Sequence, residues 1–306
     1  MFDKREVCPV CGSTAREFLF EASDKEYNLP GIFPVVRCST CTVSYLSIFP
    51  GTEQIGSYYP SDYTAYNFKF DLKAKIFSKL IQIVSGSSND TYFGIPVYKP
   101  IQEGQRMLDI GSGSGIILKL YQEKGWEVTG LDFNEDVVEA LRKKGLNCVR
   151  GDASSPPFEE GTFDVIVASQ VLEHLYEPVN ALKNWISLLS NGGRLFLGLP
   201  NFDSISRILF NKWQFGALSI PRHLVHFNTR SLYNSLRAAG FSKFEVKTVP
   251  HPSFFRSLCV KWGMPYSDIV NSRVINLFSF LSLPLEFFFS LIGYGDGLVA
   301  IAEKRE

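Results

Sequence analysis

This 306-residue chain has no excess charge of either sign: Lys+Arg and Asp+Glu both number 31. That excludes capture of nucleic acid or an anionic membrane by overall charge. The N-terminus, Met-Phe-Asp-Lys-Arg-Glu, lacks the apolar core of a secretory signal. Histidine is scarce, with only four residues, so groups that titrate near neutrality are few. The six cysteines do not form a disulfide framework. Four fall in two CxxC pairs, and Cys148 and Cys259 stand alone, which fits a reducing compartment and a bound metal. Disorder is excluded by an apolar share of 45%. The length suits one large domain with a smaller one.

A clean membrane span is also missing. Val274–Gly293 is apolar and about as long as a bilayer-crossing helix, but Pro284 and Glu286 interrupt it and Ser279, Ser282 and Ser290 dilute it. It ends at Gly293-Tyr-Gly-Asp-Gly297, and Leu298–Lys304 then reads as a strand. A crossing would leave that strand on the wrong side of any sheet it shares with earlier strands. A buried or interfacial helix is expected instead, with peripheral contact at a membrane's inner face as the open alternative in an otherwise cytoplasmic protein.

Two knuckles open the chain: Cys8-Pro-Val-Cys11-Gly and, 26 residues on, Cys38-Ser-Thr-Cys41. Each CxxC sets two thiolates on one tight turn, and two such turns supply a tetrahedral sulfur site suited to a structural Zn²⁺. A lobe of residues 1–50 is too small for a sizeable core, so a metal would supply folding energy. The lobe carries five basic residues (Lys4, Arg5, Arg16, Lys25, Arg37) against six acidic ones, which argues against a phosphate-binding surface. Residues 51–100 read as a linker. Tyr58, Tyr59, Tyr63 and Tyr66 suit either a lid or packing between lobes. Lys69–Val84 has the periodicity of an amphipathic helix, which could cover the next domain or rest on a membrane. Ser85–Asp90 reads as a loop.

From Arg106 strands and helices alternate, the mark of a parallel sheet covered on both faces. Arg106–Ile110 reads as a strand, followed by the turn Gly111-Ser-Gly113-Ser-Gly115 and a helix. A dinucleotide fingerprint would put its third glycine where Ile116 stands, and Asp109 would crowd a pyrophosphate. A carboxylate there suits a cationic ligand group.

Asp109-Ile-Gly-Ser-Gly-Ser-Gly115 resembles the first motif of class I S-adenosylmethionine-dependent methyltransferases. The likeness extends over about residues 100–250. Asp132-Phe133 ends the second strand, Gly151-Asp152-Ala153 the third and Ser169-Gln-Val-Leu-Glu-His-Leu175 the fourth; Asn191–Asn201 matches the fifth-strand signature. The resemblance implies an α/β, Rossmann-like sheet of order 3-2-1-4-5-7-6 over residues 101–306, with cap insertions at 200–228 and 251–296. It also implies a cofactor site built from Asp109, Gly111, Ser112, Gly113, Gly115, Asp132, Phe133, Asp152, Ala153 and Ser169. In it Asp132 would take the ribose hydroxyls and Asp152 the adenine amino group. The CPxCG…CxxC lobe and Pro221-Arg-His-Leu-Val-His-Phe227 resemble a zinc-ribbon subgroup of bacterial sugar C-methyltransferases and cell-envelope glycan modifiers. Thr42 departs from that pattern, where many relatives have glycine.

The resemblance implies methyl transfer to a small-molecule or glycan- or lipid-linked acceptor. An RNA acceptor gripped by the ribbon is the alternative, and a fold retained without catalysis a third. His223 and His226, in the insertion after the fifth strand, and His174, after the fourth, are the expected bases; His251 opens the second insertion.

Overall fold

The structure, a computed structural model, describes residues 3–60, 75, 76, 78, 79, 82 and 90–305. Tyr63 and Tyr66 of the expected lid, most of the expected helix Lys69–Val84 and residues 85–89 of the expected loop lie outside the described residues. The chain divides into two compact units. One comprises Met1–Pro60, Leu199–Asn234 and Lys247–Leu298; the other comprises Ser61–Gly198, Ser235–Val246 and Val299–Glu306. This division differs from the expected one of a 1–50 lobe, a 51–100 linker and a 101–306 domain.

A seven-stranded sheet carries the second unit. Its strands are β1 (Arg106–Ile110), β2 (Glu127–Asp132), β3 (Cys148–Arg150), β4 (Phe163–Ser169), β5 (Leu189–Pro200), β6 (Lys243–Val249) and β7 (Gly297–Glu303). Their order is β3-β2-β1-β4-β5-β7-β6. Strands β3-β2-β1-β4-β5 pair in parallel, with Leu108 opposite both Thr129 and Ile166. Met107, Leu108 and Ile110 are buried, as are Val165, Ile166 and Val167, the continuous apolar runs that a doubly covered parallel sheet requires. Helices α1 (Ile116–Glu123), α2 (Glu135–Lys143) and α3 (Pro178–Leu188) make the crossovers. Asn134 caps α2, its Oδ1 accepting from the Asp136 and Val137 amides, while Glu135 and Asp136 complement the first turn and Arg142 and Lys143 the last. Gly192 and Gly193 fall inside β5, because α3 already ends at Leu188.

In the first unit, strands Arg16–Ala22, Phe33–Cys38 and Ser44–Leu46 form an antiparallel sheet. Its edge strand is completed by Val225–His226, with His226 opposite Ser44. The insertion after β5, expected as a cap, therefore belongs to the cysteine lobe: it supplies a strand to an edge whose amides would otherwise lack partners. Arg222 locks the same union. It is fully buried and reaches both Asp24 oxygens, at 3.0 and 2.9 Å, as well as Glu26 at 3.1 Å and the Tyr58 carbonyl at 3.1 Å.

Helices α4 (Phe254–Lys261), α5 (Tyr266–Asn271), α6 (Arg273–Leu281) and α7 (Leu283–Leu291) complete this unit. Phe215, Cys259, Val260, Ile269 and Ile275 form their shared core. Glu286 turns inward, only 1% exposed, and accepts from the Phe254 amide and the Ser282 hydroxyl. Burial, with Asp296 adding repulsion, pushes its carboxyl up to about 9. The unfolded chain ionises this group from about its ordinary 4.5, whereas the fold keeps the proton until about 9. Stability is therefore expected to fall as pH rises through that window, by at most about 1.4 kcal/mol per pH unit from this group. Thermal melts of Glu286→Gln between pH 5 and 9 should show a shallower slope than the parent; equal slopes would disprove this.

Candidate functional site

In the second unit the turn after β1 is dictated by packing. Gly111 and Gly115 adopt φ +73° and +78°, and a Cβ on them would lie 2.5 Å from Val171 Cγ2 and 2.4 Å from Leu141 Cδ2. The Gly111 and Ser112 amides both donate to the Leu131 carbonyl, binding the turn to the end of β2. The Gly113 amide donates to Asp132 Oδ2 at 3.0 Å, and the Asn134 amide to Asp132 Oδ1 at 3.0 Å. Two amides thus fix the Asp132 carboxylate, and each oxygen retains a further lone pair for a hydroxyl. Burial raises its carboxyl above the usual range, and these amides oppose that rise.

Asp109 lies beside this turn and is 1% exposed. Neither carboxylate oxygen has a hydrogen-bond partner. Burial pushes the carboxyl well above the carboxylate range, and the charge of Asp132 adds to the rise. A buried carboxylate with neither oxygen hydrogen-bonded is costly. A cationic ligand group would relieve that cost, so the residues fit the aminoacyl end of S-adenosylmethionine.

Further along the strand ends, Phe133 is 54% exposed, an aromatic face next to Asp132. Asp152 is exposed, its Oδ1 accepting from the Ser154 amide at 2.8 Å. The Ala153 carbonyl is taken by Trp185 Nε1 at 2.7 Å. Ser169 is half-buried at the end of β4, and Gln170 follows with φ +58°, its amide donating to the Gly198 carbonyl. Ser112, the other expected contact, has its hydroxyl engaged within the turn. Its buried hydroxyl donates to the Asp109 carbonyl at 2.9 Å, so the side chain closes the turn.

His174 occupies a 3₁₀ turn, Leu172–His174, and is half-buried. The fully buried member of that motif is its neighbour Glu173, whose carboxyl burial pushes up to about 8. Sequence reasoning favoured the histidine by residue type. The signal for Glu173 was an acid following the apolar Val171-Leu172 pair, beside His174 and ahead of Leu175.

The four knuckle cysteines meet in the first unit, with ligand atoms within 4.8 Å of one another. Cys8 and Cys41 Sγ are 3.5 Å apart, as are Cys11 and Cys38. Four sulfurs at about 2.3 Å from one ion would be about 3.8 Å apart, so the cluster is the right size for a tetrahedral metal. None of the six cysteines is in a disulfide. Each knuckle closes by the same bond: the Gly12 amide donates to the Cys8 carbonyl and the Thr42 amide to the Cys38 carbonyl. Thr42 takes φ +67°, the conformation Gly12 adopts at +71°. Its side chain meets Asn228, whose Nδ2 donates to the Thr42 carbonyl at 3.2 Å and to Asp203 Oδ2 at 2.8 Å. Arg37, just before the second knuckle, pairs with Asp203.

His223 and His226 lie in this unit with ring centroids 6.3 Å apart. The Nδ1–H of His223 donates to the Ala217 carbonyl at 2.9 Å, which fixes the tautomer. His226 is buried beside Phe202 at 5.3 Å, and its Nε2 has no hydrogen-bond partner. Burial, with the Arg207 charge, holds it down to about 3, so it is neutral at any working pH. That value is far from the near-neutral one expected of a histidine base. His251 is exposed, just before α4.

The Methyltransferase domain family matches residues 92–246. The demethylmenaquinone methyltransferase of Renibacterium salmoninarum is 32% identical over 94 residues, 30% of this chain and 40% of that protein. A ubiquinone biosynthesis O-methyltransferase of Bordetella avium is 30% identical over 106 residues, 32% of this chain and 44% of that protein. The chain thus matches less than half the length of these curated relatives. Among solved structures, a SAM-dependent methyltransferase of Thermotoga maritima, a possible histamine N-methyltransferase, aligns with TM-score 0.51 at 18% identity, covering 82% of this chain and 99% of that one. Phosphoethanolamine N-methyltransferase 2 of Haemonchus contortus, solved with S-adenosyl-L-methionine, aligns with TM-score 0.51 at 18% identity, covering 86% and 63%. At that identity the likeness is one of fold.

Proposed function

Because the chain belongs to the Methyltransferase domain family, we propose that it transfers a methyl group from S-adenosylmethionine to a small-molecule acceptor, one free or carried on a glycan or lipid. The observation that carries this reading is the unpartnered, buried Asp109 carboxylate beside the Gly111–Gly115 turn. Asp109 would hold the aminoacyl cation and the doubly anchored Asp132 the ribose hydroxyls. Phe133 would pack on the purine, with Asp152 and the Ala153 amide at its edge. Gly111, Gly113 and Gly115 would let the backbone approach, and Ser169 would stand at the wall. Bound there, the cofactor supplies a sulfonium methyl already activated for displacement.

The protein's own work is then to orient, desolvate and move one proton. The Glu173 carboxyl, raised to about 8, can hold or release a proton near neutral pH. His226, neutral and with Nε2 unpartnered, can accept a hydrogen bond but is a weak base. His223 is tied to a carbonyl and suits positioning. The four thiols would hold a structural Zn²⁺, closed to substrate because all four ligands come from the protein. The lobe's charge, five basic against six acidic residues, argues against RNA as the acceptor.

Calorimetry with S-adenosylmethionine should give one site per chain. Affinity should rise with pH, because below the raised Asp109 value the cation must displace a proton. Asp109→Asn should bind about 10–100-fold more weakly, with a flattened pH response. Above the raised Asp109 value it should also melt higher than the parent, since there it removes a buried unpaired charge. No binding by the parent protein would refute the reading. Incubation with bulk RNA and labelled cofactor should leave the RNA unlabelled.

A further inference from the structure

Helices α6 and α7 are apolar on the faces they bury and on the faces they show. On α6, Ile275 and Ser279 turn in, while Val274, Leu277, Phe278 and Leu281 form an exposed stripe at i, i+3, i+4 and i+7. On α7, Leu283 and Glu286 turn in, while Leu285, Phe288 and Leu291 continue the exposed pattern. Leu291 is 71% exposed and Val274 63%. Single exposed apolar residues are ordinary; a run across two consecutive helices marks an interaction surface.

The charges around this surface are sorted. The one acid on α6 and α7, Glu286, points into the protein. The exposed charge on these helices is Arg273, and Lys261 is exposed at the end of α4; Asp268 on α5 is the one exposed acid among the described residues 254–291. The edges carry Trp262, 68% exposed, and Tyr294, both amphipathic aromatics of the kind that settle at lipid headgroups. A specific protein interface carries about one hydrogen bond per 100–200 Å², but the stripe presents hydrocarbon and phenyl rings. A bilayer requires no such registration, and an anionic one complements Lys261 and Arg273.

We propose that the α6–α7 face is an in-plane membrane anchor that seats in the headgroup and upper acyl region of an anionic lipid surface. The geometry favours lying over crossing. Each helix has nine residues, about 14 Å long against about 30 Å of hydrocarbon, and the pair is bent by 42°. The bend falls at Ser282, with Pro284 in the first turn of α7. Among the described residues no single helix is long and apolar enough to cross a membrane. An in-plane helix pair buries its apolar stripe to about 5–10 Å and leaves the protein on one side.

The test uses the full chain with extruded vesicles of phosphatidylcholine alone and of phosphatidylcholine with one quarter phosphatidylglycerol. Flotation should recover the protein with the mixed vesicles, and several-fold less with the neutral ones. Of the four tryptophans, Trp126 and Trp185 are buried, Trp213 is half-buried and Trp262 is 68% exposed, so vesicle-induced blue-shifted emission should come mainly from Trp262 and be largely lost in Trp262→Phe but kept in Trp213→Phe. Leu277→Glu with Phe288→Glu should cut partitioning at least tenfold while leaving the melting temperature and cofactor calorimetry unchanged. If that variant fails to fold, Leu281→Ser with Leu291→Ser gives the same reading more gently. Absence of binding to either vesicle overturns the proposal. So does sedimentation equilibrium showing a dimer that the same substitutions dissociate, which would assign the face to a second copy. The assay reads lipid binding without methyl transfer, so its failure is distinct from failure of the methyltransferase reading.

Discussion

Replacing Cys41 with serine, or stripping the purified protein with a strong chelator, will abolish one equivalent of bound zinc and unfold the sheet that holds the cysteines. Metal binding in such small sulfur sites contributes about 10–16 kcal/mol at neutral pH, as much as a whole domain's stability of about 5–15 kcal/mol. The sheet has little to offset that loss: it has four strands, one of only two residues. The Cys41 thiol beside Cys8 holds the Cys8 thiol below its ordinary range, but a serine hydroxyl stays protonated and cannot replace a thiolate ligand. The damage will extend beyond the lobe's own residues. Arg37 and Thr42 bracket the second knuckle and contact Asp203 and Asn228. Metal analysis, thiol titration and two-step thermal melts check this. Four freely titrating thiols in the untreated protein would disprove it.

Arg222→Met should be the most damaging substitution outside the cysteines. It removes the cation from between Asp24 and Glu26 and leaves two carboxylates in a buried site, at a cost of about 3–5 kcal/mol. A melting temperature about 10 °C lower is expected for a chain of this size. Burial already raises the Glu26 carboxyl, with Arg222 opposing the rise. Without the arginine that carboxyl rises further, so the deficit should shrink as pH falls and Glu26 takes up a proton. Combining Arg222→Met with Asp24→Asn should recover part of the loss, a coupling absent from distant pairs. Full additivity would show that the residues do not act together.

The parallel sheet was legible because its signals are local: apolar strands alternating with helical segments from Arg106 onward. The glycine turn after β1 was legible as a turn because its three glycines stand together, and Gly111 and Gly115 stand where any Cβ would strike Val171 or Leu141. The knuckles were legible from spacing alone. What eluded sequence reasoning was long-range. Nothing local says that Val225–His226 pairs with Ser44–Leu46, or that Arg222 answers Asp24 across 198 positions. The cap expected at 200–228 therefore belongs to the cysteine-bearing unit. Burial of individual polar groups was equally hidden. That the Ser112 hydroxyl closes its own turn could not be read from its place among the glycines. His226 reads as a base until burial and Arg207 lower it.

The distance between Asp24 and Arg222 also sets a sequence of events during synthesis. Asp24, Glu26 and all four knuckle cysteines leave the ribosome early, whereas Arg222 follows Asp24 by 198 residues. At about 5–20 residues per second, that is a wait of about 10–40 s. Throughout it the nascent lobe holds two acids without their counterion and an edge strand without its neighbour. Capture of an ion by the thiols, together with pairing of Arg16–Ala22 on Phe33–Cys38, can close the lobe in that interval. A cell starved of zinc would therefore yield chains held up before the arginine arrives, and these would be the substrates that chaperones and proteases meet first.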